Sequence, residues 1–355
     1  MKIAVGMSGG VDSSVAAMLL KKAGNEVYGI TMKIWNGRPE SGTSRHACYG
    51  PGEEDEIALS ASVCGFLGIP HFVYDCAADY HSTVIAYFKK EYLAGRTPNP
   101  CVICNEKIKF GLLPMIAKKN FSFDKFATGH YAAVEHDFST GRYLLKKARD
   151  IAKDQTYFLH RLSREQLSSL VLPLSGYSKD EVRQLAAEYA LPSAEYPESQ
   201  DFYDGDYREI ISTEDLPGEI VDTRGKVLGR HRGLWNFTVG QRKGIGIAYR
   251  EPLYVVNLDS TRNRVIVGPR RATLSDSFYV TETNWISIDN VTSEIHASVK
   301  TRSSQQEVPC SIIPAGHSSV RVEIKEPLQG IAAGQSAVFY DGDAVLGGGI
   351  IEYSL

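Results

Sequence analysis

The first 160 residues alternate short apolar runs with stretches in which apolar residues recur at helical spacing. The apolar runs read KIAVGM, EVYGITMKIW, HFVYDC and KFATGH. Strands that alternate with helices predict a parallel sheet whose faces are covered by helices. Because such sheets bind ligands at the carboxyl ends of their strands, the first candidates for a site are the residues that follow Val5, Trp35, Cys76 and Ala127.

The pattern changes twice along the rest of the chain. From 161 to 215 it stays helical, with Pro173 and Pro192 as breakers, which predicts a small helical central domain. After Pro217 short alternating segments follow, such as YVVNLD, RVIVG and SVRVEI, with Asp341-Gly342 as a hairpin turn. We therefore expect an α/β chain with domains at 1–160, 161–215 and 216–355, the last being an antiparallel β-barrel.

The composition fits a globular protein of this size. Over 355 residues, 43% are hydrophobic and 23% are charged, which is typical of two or three folded domains. No apolar run approaches ~20 residues, and the first residues lead into a strand pattern without a cleavage site, so the expected compartment is the cytoplasm. A net charge of −3 argues against indiscriminate binding to polyanions, so any RNA-binding face has to be local.

The segment 224–243 is a candidate for such a local face. It contains no acidic residue, and it interleaves Trp235 and Phe237 with six cations, which are Arg224, Lys226, Arg230, Arg232, Arg242 and Lys243. Basic charge beside aromatic surface suits RNA. The alternative is a solvated hairpin that happens to be basic.

The segment Gly6–Ser13 follows the first strand and opens a helix. Backbone N–H groups and the positive end of the helix can hold a phosphate there, and glycines allow the close approach. The loop is not a Walker A motif, because no Lys precedes Ser13, and it lacks the glycine spacing of a dinucleotide site. Asp12 is unexpected in an anion site unless Mg²⁺ mediates.

Six scattered cysteines do not predict a disulfide framework, so each is core, a metal ligand or a reactive thiol. Cys101 and Cys104 are the close pair. Asn99 suits a helix N-cap and Pro100 the first helical position, which puts both thiols near a helix N-terminus and on one face. The helix dipole there can depress a thiol pKa from ~8.5 towards neutrality. A redox dithiol, half of a metal or iron–sulfur site, and a nucleophile with a neighbour all remain open.

The loop 6–13 closely resembles that of the ATP pyrophosphatase (PP-loop) family. Further motifs occur in the order found in the tRNA-specific 2-thiouridylases: TPNPCVICNEKIKFG at 97–111, ATGHY at 127–131, Lys153–Gln155, Ser199–Asp201 and Gly240–Arg242. The resemblance spans nearly the whole chain. It implies that ATP adenylates the C2 oxygen of the wobble uridine of tRNA, and that sulfur then replaces this oxygen while AMP leaves.

The resemblance also implies roles for individual residues. The site for ATP, with Mg²⁺, comprises Gly6, Met7, Ser8, Gly9, Gly10, Val11, Asp12, Ser13, Met32 and Gly129. The segment Asn99, Pro100 and Cys101 faces the target base, and Cys104 is the nucleophile, so Cys101 and Cys104 are the catalytic candidates. Further positions resemble tRNA contacts, namely His130, Lys153, Asp154, Gln155, Arg302 and Gln335. The implied partners are tRNA and a sulfur donor or persulfide carrier protein.

One position departs from the family pattern. Tyr203 stands where a second catalytic cysteine is expected to carry the persulfide sulfur, and no cysteine lies between Cys104 and Cys310. Three compensations are open: Cys48 or Cys76 serves instead; Cys101 and Cys104, with Cys48 or Cys76, bind an iron–sulfur cluster; or an external persulfide carrier delivers directly to Cys104.

Two other functions remain as alternatives. A small-molecule PP-loop ligase would explain the phosphate loop but neither the cysteine helix nor the basic segment. A homologue that binds tRNA without thiolating it would explain Tyr203 but not the retained Cys104.

Overall fold

The computed structural model describes residues 1–35, 48–197, 202–203, 205–211 and 214–354. These residues form two compact units. One unit comprises residues 1–85, 100–210 and 343–345, and the other comprises 86–99, 211–342 and 346–355. The motif Ser199–Asp201 lies outside the described residues.

The helices of the described residues are α1 (Val11–Lys22), α2 (Glu53–Leu67), α3 (Ala77–Tyr80), α4 (Ala86–Leu93), α5 (Pro100–Ile103), α6 (Leu113–Ala117), α7 (Arg164–Ser168), α8 (Lys179–Glu188) and α9 (Tyr207–Ile211). Two π-helical segments, His81–Ile85 and Cys104–Leu112, run from α3 into α4 and from α5 into α6.

The strands are β1 (Lys2–Gly6), β2 (Glu26–Lys33), β3 (His71–Asp75), β4 (Lys125–Ala127), β5 (Ala133–Asp137), β6 (Arg142–Lys146), β7 (Leu170–Val171), β8 (Gly218–Asp222), β9 (Val227–His231), β10 (Tyr254–Asp259), β11 (Arg264–Gly268), β12 (Leu274–Trp285), β13 (Ile295–Lys300), β14 (Val308–Gly316), β15 (Ser319–Gln329), β16 (Ser336–Asp341) and β17 (Ala344–Ser354).

A five-stranded sheet in the order β3-β2-β1-β4-β7 forms the centre of the first unit. All its pairings are parallel. Ile3, Ala4 and Val5 are almost fully buried. Because successive strand residues point to opposite faces, both faces of β1 must be covered. The predicted parallel sheet is confirmed, and β1 to β4 end at one edge with Gly6, Lys33, Asp75 and Ala127.

The predicted helix after Asn99 is also confirmed: it begins at Pro100 and continues, through the π-segment, to Ala117. A Cβ at Gly111 would lie 2.9 Å from the carbonyl oxygen of Glu106, five residues earlier, so the π-turn needs glycine there. Arg161 Nε donates to a Glu106 carboxylate oxygen at 2.6 Å, and Asn105 Nδ2 donates to the Phe158 carbonyl at 3.1 Å. These bonds fix the rotation of the helix, and therefore the face on which its cysteines lie.

The second unit is rich in β-structure and contains two sheets. A four-stranded sheet, β10-β11-β8-β9, has its own core, which includes Ile220, Val255 and Val265. The strands β12-β15-β14-β13-β16-β17 close into a barrel through the pairing of β12 with β17. The expected antiparallel barrel is thus confirmed for the last six strands, and a separate small sheet precedes it.

The basic segment 224–243 differs from its prediction in one respect. Its six cations are exposed, but the side chains of Trp235 and Phe237 are only 5% and 6% exposed. Phe237 packs in the core of the four-stranded sheet, because burial of a large ring gains more than contact with water. The expected aromatic surface at these two residues is therefore wrong, while the basic face remains.

Within the residues that the structure describes, no helix is long and apolar enough to cross a membrane.

Candidate functional site

The loop between β1 and α1 adopts a conformation that requires glycine. Gly9 has φ +76°, and a Cβ there would lie 2.7 Å from the carbonyl oxygen of Glu56. Ser13 Oγ accepts from the Ser8 N–H at 3.2 Å and donates to the Gly10 carbonyl at 3.1 Å. The N–H groups of the first turn of α1 have no carbonyl partner within the helix, so they are suited to bind an anion.

A second loop, which follows β4, lies directly on this first turn. A Cβ at Gly129 would lie 2.6 Å from the carbonyl carbon of Asp12 and 2.7 Å from the backbone nitrogen of Ser13. Only glycine allows the two backbones to approach this closely. The structure thus brings Gly129 together with the loop 6–13, from which it is separated by more than a hundred residues.

The charge of Asp12 is balanced inside the protein. Lys179 Nζ donates to both carboxylate oxygens of Asp12, at 2.7 and 2.9 Å, and the side chain of Lys179 is 8% exposed. The Tyr131 hydroxyl donates to Asp12 Oδ1 at 2.8 Å. An aspartate in this anion site therefore has a physical explanation that does not depend on Mg²⁺. Sequence reasoning missed Lys179, although Ser178 and Glu181 carry the signal of a capping box that starts a helix at Lys179.

Gln155 clamps the backbone of Tyr131. Its side-chain Oε1 accepts from the Tyr131 N–H at 2.8 Å, and its own N–H donates to the Tyr131 carbonyl at 2.8 Å. Asp154 also bonds within the protein, accepting from the Ala148 N–H at 3.2 Å and from the Thr156 hydroxyl at 2.5 Å. These two predicted tRNA positions therefore order the segment that carries Tyr131.

The end of β2 is capped by a buried carboxylate. Glu53 Oε1 accepts from the N–H groups of Ile34 and Trp35 at 2.6 and 3.0 Å. These bonds fix the chain just after Met32, which is half-buried near the carboxyl end of β2. Met32 thus lies at the same edge of the sheet as the loop 6–13.

Cys101 and Cys104 lie in the helix that begins at Pro100, and both are half-buried. Burial raises the pKa of the Cys104 thiol to about 11, Lys109 opposes this rise, and Cys48 adds to it. The expectation of a depressed thiol pKa is therefore wrong for Cys104. It lies in the second turn, where the helix dipole has largely faded, and desolvation outweighs it.

The other cysteine thiols differ in their exposure to solvent. Cys48 is exposed, whereas Cys64 and Cys76 are buried, and burial raises the pKa of each buried thiol to about 12. In the described parts of the chain, no three His, Cys, Asp or Glu side chains are arranged to hold a metal ion. The four thiols considered as iron–sulfur ligands, Cys48, Cys76, Cys101 and Cys104, do not form such a set.

A buried aromatic cluster lies beside these cysteines. Tyr80 is 1% exposed, and burial together with the charges of Cys104, Cys101 and Cys48 raises its pKa well above the usual value. Tyr49, which follows Cys48, stacks on Tyr80 at 5.6 Å between ring centroids. The cysteines thus lie beside stacked aromatic rings.

His130 is held as a neutral side chain. Its Nδ1 lies 2.8 Å from the Thr128 hydroxyl, and its ring lies 5.4 Å from that of Phe110. Burial lowers the pKa of His130 well below its usual value, and Lys109 lowers it further. The charge of Lys109 therefore lowers the pKa of both His130 and Cys104.

Comparison with known proteins finds matches along the whole chain. Family models match residues 1–203 (tRNA methyl transferase HUP domain), 208–269 (tRNA methyl transferase PRC-barrel domain) and 275–351 (aminomethyltransferase beta-barrel domain). The tRNA-specific 2-thiouridylase MnmA of Endomicrobium trichonymphae is 49% identical and covers 99% of each chain. That of Geotalea uraniireducens is 46% identical over 100% of this chain and 96% of the relative, and that of Nostoc punctiforme is 42% identical over 99% of each.

The chain belongs to the tRNA-specific 2-thiouridylase family. This confirms the resemblance drawn from the motifs. The thiouridylase family consists of tRNA sulfurtransferases, so this member is an enzyme of that class.

Tyr203 is an internal side chain. It is 4% exposed, its hydroxyl donates to a carboxylate oxygen of Glu209, and its ring lies 6.5 Å from those of Tyr49 and Tyr207. A Cβ at Gly205 would lie 2.4 Å from the Tyr203 hydroxyl oxygen and 2.5 Å from the ring carbon Cζ that carries it. The loop is thus built around a tyrosine at this position.

The two predicted tRNA positions of the barrel bond to backbone carbonyls. Gln335 Nε2 donates to the carbonyls of Thr97 and Pro98, both at 3.2 Å. Arg302 Nη2 donates to the Val239 carbonyl at 3.0 Å and to the Gly330 carbonyl at 2.6 Å. Both side chains order the loops of their own unit, including the residues that precede Asn99.

Proposed function

We propose that this thiouridylase family member thiolates the C2 position of the wobble uridine of tRNA at the expense of ATP. One observation carries the proposal: a glycine-dependent anion loop lies at the same sheet edge as the cysteine pair. The loop follows β1, and the π-segment that begins at Cys104 contacts α3, which directly follows β3 and Cys76. A phosphate site beside a thiol is what adenylation followed by sulfur transfer requires.

In the first step the C2 oxygen of the uridine attacks the α-phosphorus of ATP. The bond between the α-phosphorus and the bridging oxygen breaks, and pyrophosphate leaves with that electron pair. The N–H groups at the start of α1 hold the phosphates, and Gly9 and Gly129 allow the close backbone packing that shapes this loop. The product is an adenylated base whose leaving group is AMP.

In the second step Cys104, charged as a persulfide by an external carrier protein, attacks C2 with its terminal sulfur. AMP leaves, and the base is joined to Cys104 by a disulfide. A second thiolate must then attack Cys104 Sγ, which frees 2-thiouridine and leaves a protein disulfide for an external dithiol to reduce. We assign this second thiol to Cys48, because it is exposed and close enough to raise the pKa of Cys104, while Cys76 is buried.

Metal removal tests this route against the iron–sulfur alternative. We expect protein purified anaerobically, treated with chelator and free of iron and acid-labile sulfide to thiolate tRNA at the rate of untreated protein. Loss of thiolation that returns only when a cluster is reconstituted would replace the disulfide route by the cluster route.

The function itself is tested by mass spectrometry of tRNA nucleosides after reaction with ATP and a persulfide donor. We expect 2-thiouridine from the wild-type protein, none from Cys104→Ala, and an unaltered yield from Cys64→Ala, in which a buried thiol away from this chemistry is removed. The ligase alternative predicts ATP/pyrophosphate exchange that ignores tRNA. The alternative of tRNA binding alone predicts bound tRNA without exchange or product.

A further inference from the structure

The phosphate loop contains its own negative charge. Asp12 is the second residue of α1, so it belongs to the turn whose N–H groups are proposed to bind the ATP phosphates. An uncompensated carboxylate in this turn would repel a bound polyphosphate, since Coulomb energies rise steeply when water is excluded. A partner cation is therefore a requirement of this site.

That cation comes from α8. Lys179 is the first residue of α8, and its ammonium donates to both oxygens of Asp12. Its own backbone is fixed as well, because the Lys179 N–H donates to Asp150 Oδ2 at 2.9 Å and the Ser178 capping box closes the first turn. Both ends of the Lys179 side chain are thus held in place.

A third side chain, that of Tyr131, also orients the ion pair of Asp12 and Lys179. The Tyr131 hydroxyl donates to Asp12 Oδ1, and Tyr131 is clamped by Gln155. Val11 and Val15 of α1 share a core with Val182 and Ala186 of α8, so the two helices are packed around the ion pair. Because the side chain of Lys179 is 8% exposed, removing one partner of this ion pair would leave a largely desolvated charge without its counterion.

We propose that Lys179 is a positioning residue of the phosphate site: through Asp12 it fixes the first turn of α1 and cancels the charge that would otherwise repel ATP. The N-terminus of α8 is thereby part of the ATP site. This inference rests on the proposed adenylation chemistry and adds a residue that none of the sequence motifs identified.

The test uses the full-length protein with five variants: Lys179→Met, Lys179→Arg, Asp12→Asn, the double variant Lys179→Met/Asp12→Asn, and the control Lys22→Met. Lys22 also connects α1 with α8, since its ammonium donates to the Tyr189 hydroxyl, but it does so at the far ends of these helices. The measurements are tRNA-dependent ATP/pyrophosphate exchange, the ATP-induced shift in Tm, the Kd for tRNA, and urea unfolding to select conditions in which every variant is folded.

We expect kcat/KM for ATP to fall about 100-fold in folded Lys179→Met, with the ATP-induced Tm shift lost and the Kd for tRNA unchanged. Lys179→Arg recovers most of the loss, and Lys22→Met behaves as wild type. Because Lys179 acts through Asp12, the double variant is no worse than Asp12→Asn alone.

Two results would overturn the inference: folded Lys179→Met with wild-type ATP kinetics, or losses from Lys179→Met and Asp12→Asn that add in full. A purely structural role would lower the free energy of unfolding and leave kcat/KM of the folded protein intact. If the wild-type protein shows no tRNA-dependent exchange, the proposed function fails. The ATP-induced Tm shift, which needs no tRNA, still decides whether Lys179 serves the phosphate site.

Discussion

At the scale of single residues, the candidate site depends on glycines that allow close backbone packing and on the protonation state of a cysteine thiol. A Cβ at Gly129 would meet backbone atoms of Asp12 and Ser13, and backbone atoms cannot rotate away as a side chain could. Cys104, the proposed nucleophile, is held as a neutral thiol by burial, since the pKa is raised to about 11.

Gly129→Ala should disable the ATP step while leaving tRNA binding intact. The new Cβ would be 2.6 Å from the Asp12 carbonyl carbon, so the loop or the first turn of α1 has to move. We expect ATP/pyrophosphate exchange to fall at least about 100-fold, since small displacements of reacting groups are that costly. Gly176→Ala is the matched control, because a Cβ there meets nothing within 4 Å. Equal activity of the two variants would refute this assignment for Gly129.

The reactivity of Cys104 should rise with pH and depend on Lys109. A pKa of about 11 means that the thiolate fraction grows about tenfold per pH unit from 7 to 10. Lys109 lowers this pKa, so Lys109→Met raises it further and slows iodoacetamide labelling of Cys104 at pH 8 by mass spectrometry. Lys107→Met, which removes an exposed cation paired with Glu106, is the control. A labelling rate that is flat between pH 7 and 10 would contradict the raised pKa.

At the scale of secondary-structure elements, the ends of helices and strands position most residues of the candidate site. α1 begins within the loop 6–13, α8 supplies Lys179 from its first residue, and the start of α2 supplies Glu53 to the end of β2. The start of α2 also contains buried carboxylate oxygens whose desolvation costs folding free energy. Glu56 has a carboxylate oxygen that is buried without a hydrogen-bond partner among the described atoms, and so has Glu53.

Glu56 makes the stability of the first unit pH-dependent. Burial, and then the charge of Glu53, raises its pKa from 4.5 to about 7. Since the folded pKa lies above the unfolded one, stability from this group is fully present below pH 4.5 and is lost as the pH rises through 7. Glu56→Gln should therefore raise the free energy of unfolding at pH 8 by about 1–2 kcal/mol and have little effect at pH 4.5. Urea denaturation measures both.

The control for Glu56→Gln is Glu54→Gln, on the same turn of α2 but exposed, which should leave the free energy of unfolding unchanged at either pH. A stabilisation of Glu56→Gln that is equal at pH 4.5 and pH 8 would point to better packing rather than to the lost charge.

At the scale of the whole molecule, the net charge of −3 means that tRNA affinity has to come from local basic surface. The cations of the segment 224–243 are exposed, so they are available for phosphates. Each phosphate contact releases counterions and adds about one to the slope of log Kd against log salt.

The double variant Arg224→Gln/Lys226→Gln should reduce the salt slope of tRNA binding by about two. Lys118→Gln/Lys119→Gln removes the same number of exposed positive charges elsewhere and should leave the slope unchanged. Filter binding at several salt concentrations measures both. An unchanged slope for the first pair would assign the segment to the solvated hairpin alternative.

Local features of this protein could be predicted from the amino-acid sequence alone. Periodicity located β1 to β4 and the main helices, Pro100 marked the start of the cysteine helix, and Asp341-Gly342 marked a barrel hairpin, because each of these depends on neighbours within a few residues. The ordered motifs identified the family. The roles of the individual site residues remain predictions that the experiments above test.

Contacts between side chains that are distant in the sequence emerged only from the folded structure. Lys179 reaches Asp12 across 167 positions in the sequence, and no local pattern encodes that contact. Burial of Cys104 reversed the expected shift of its pKa, and burial of Trp235 and Phe237 removed an aromatic surface that the sequence had indicated. Desolvation and pairing of charges are set by what packs around a residue, so they depend on the whole fold and not on spacing along the chain.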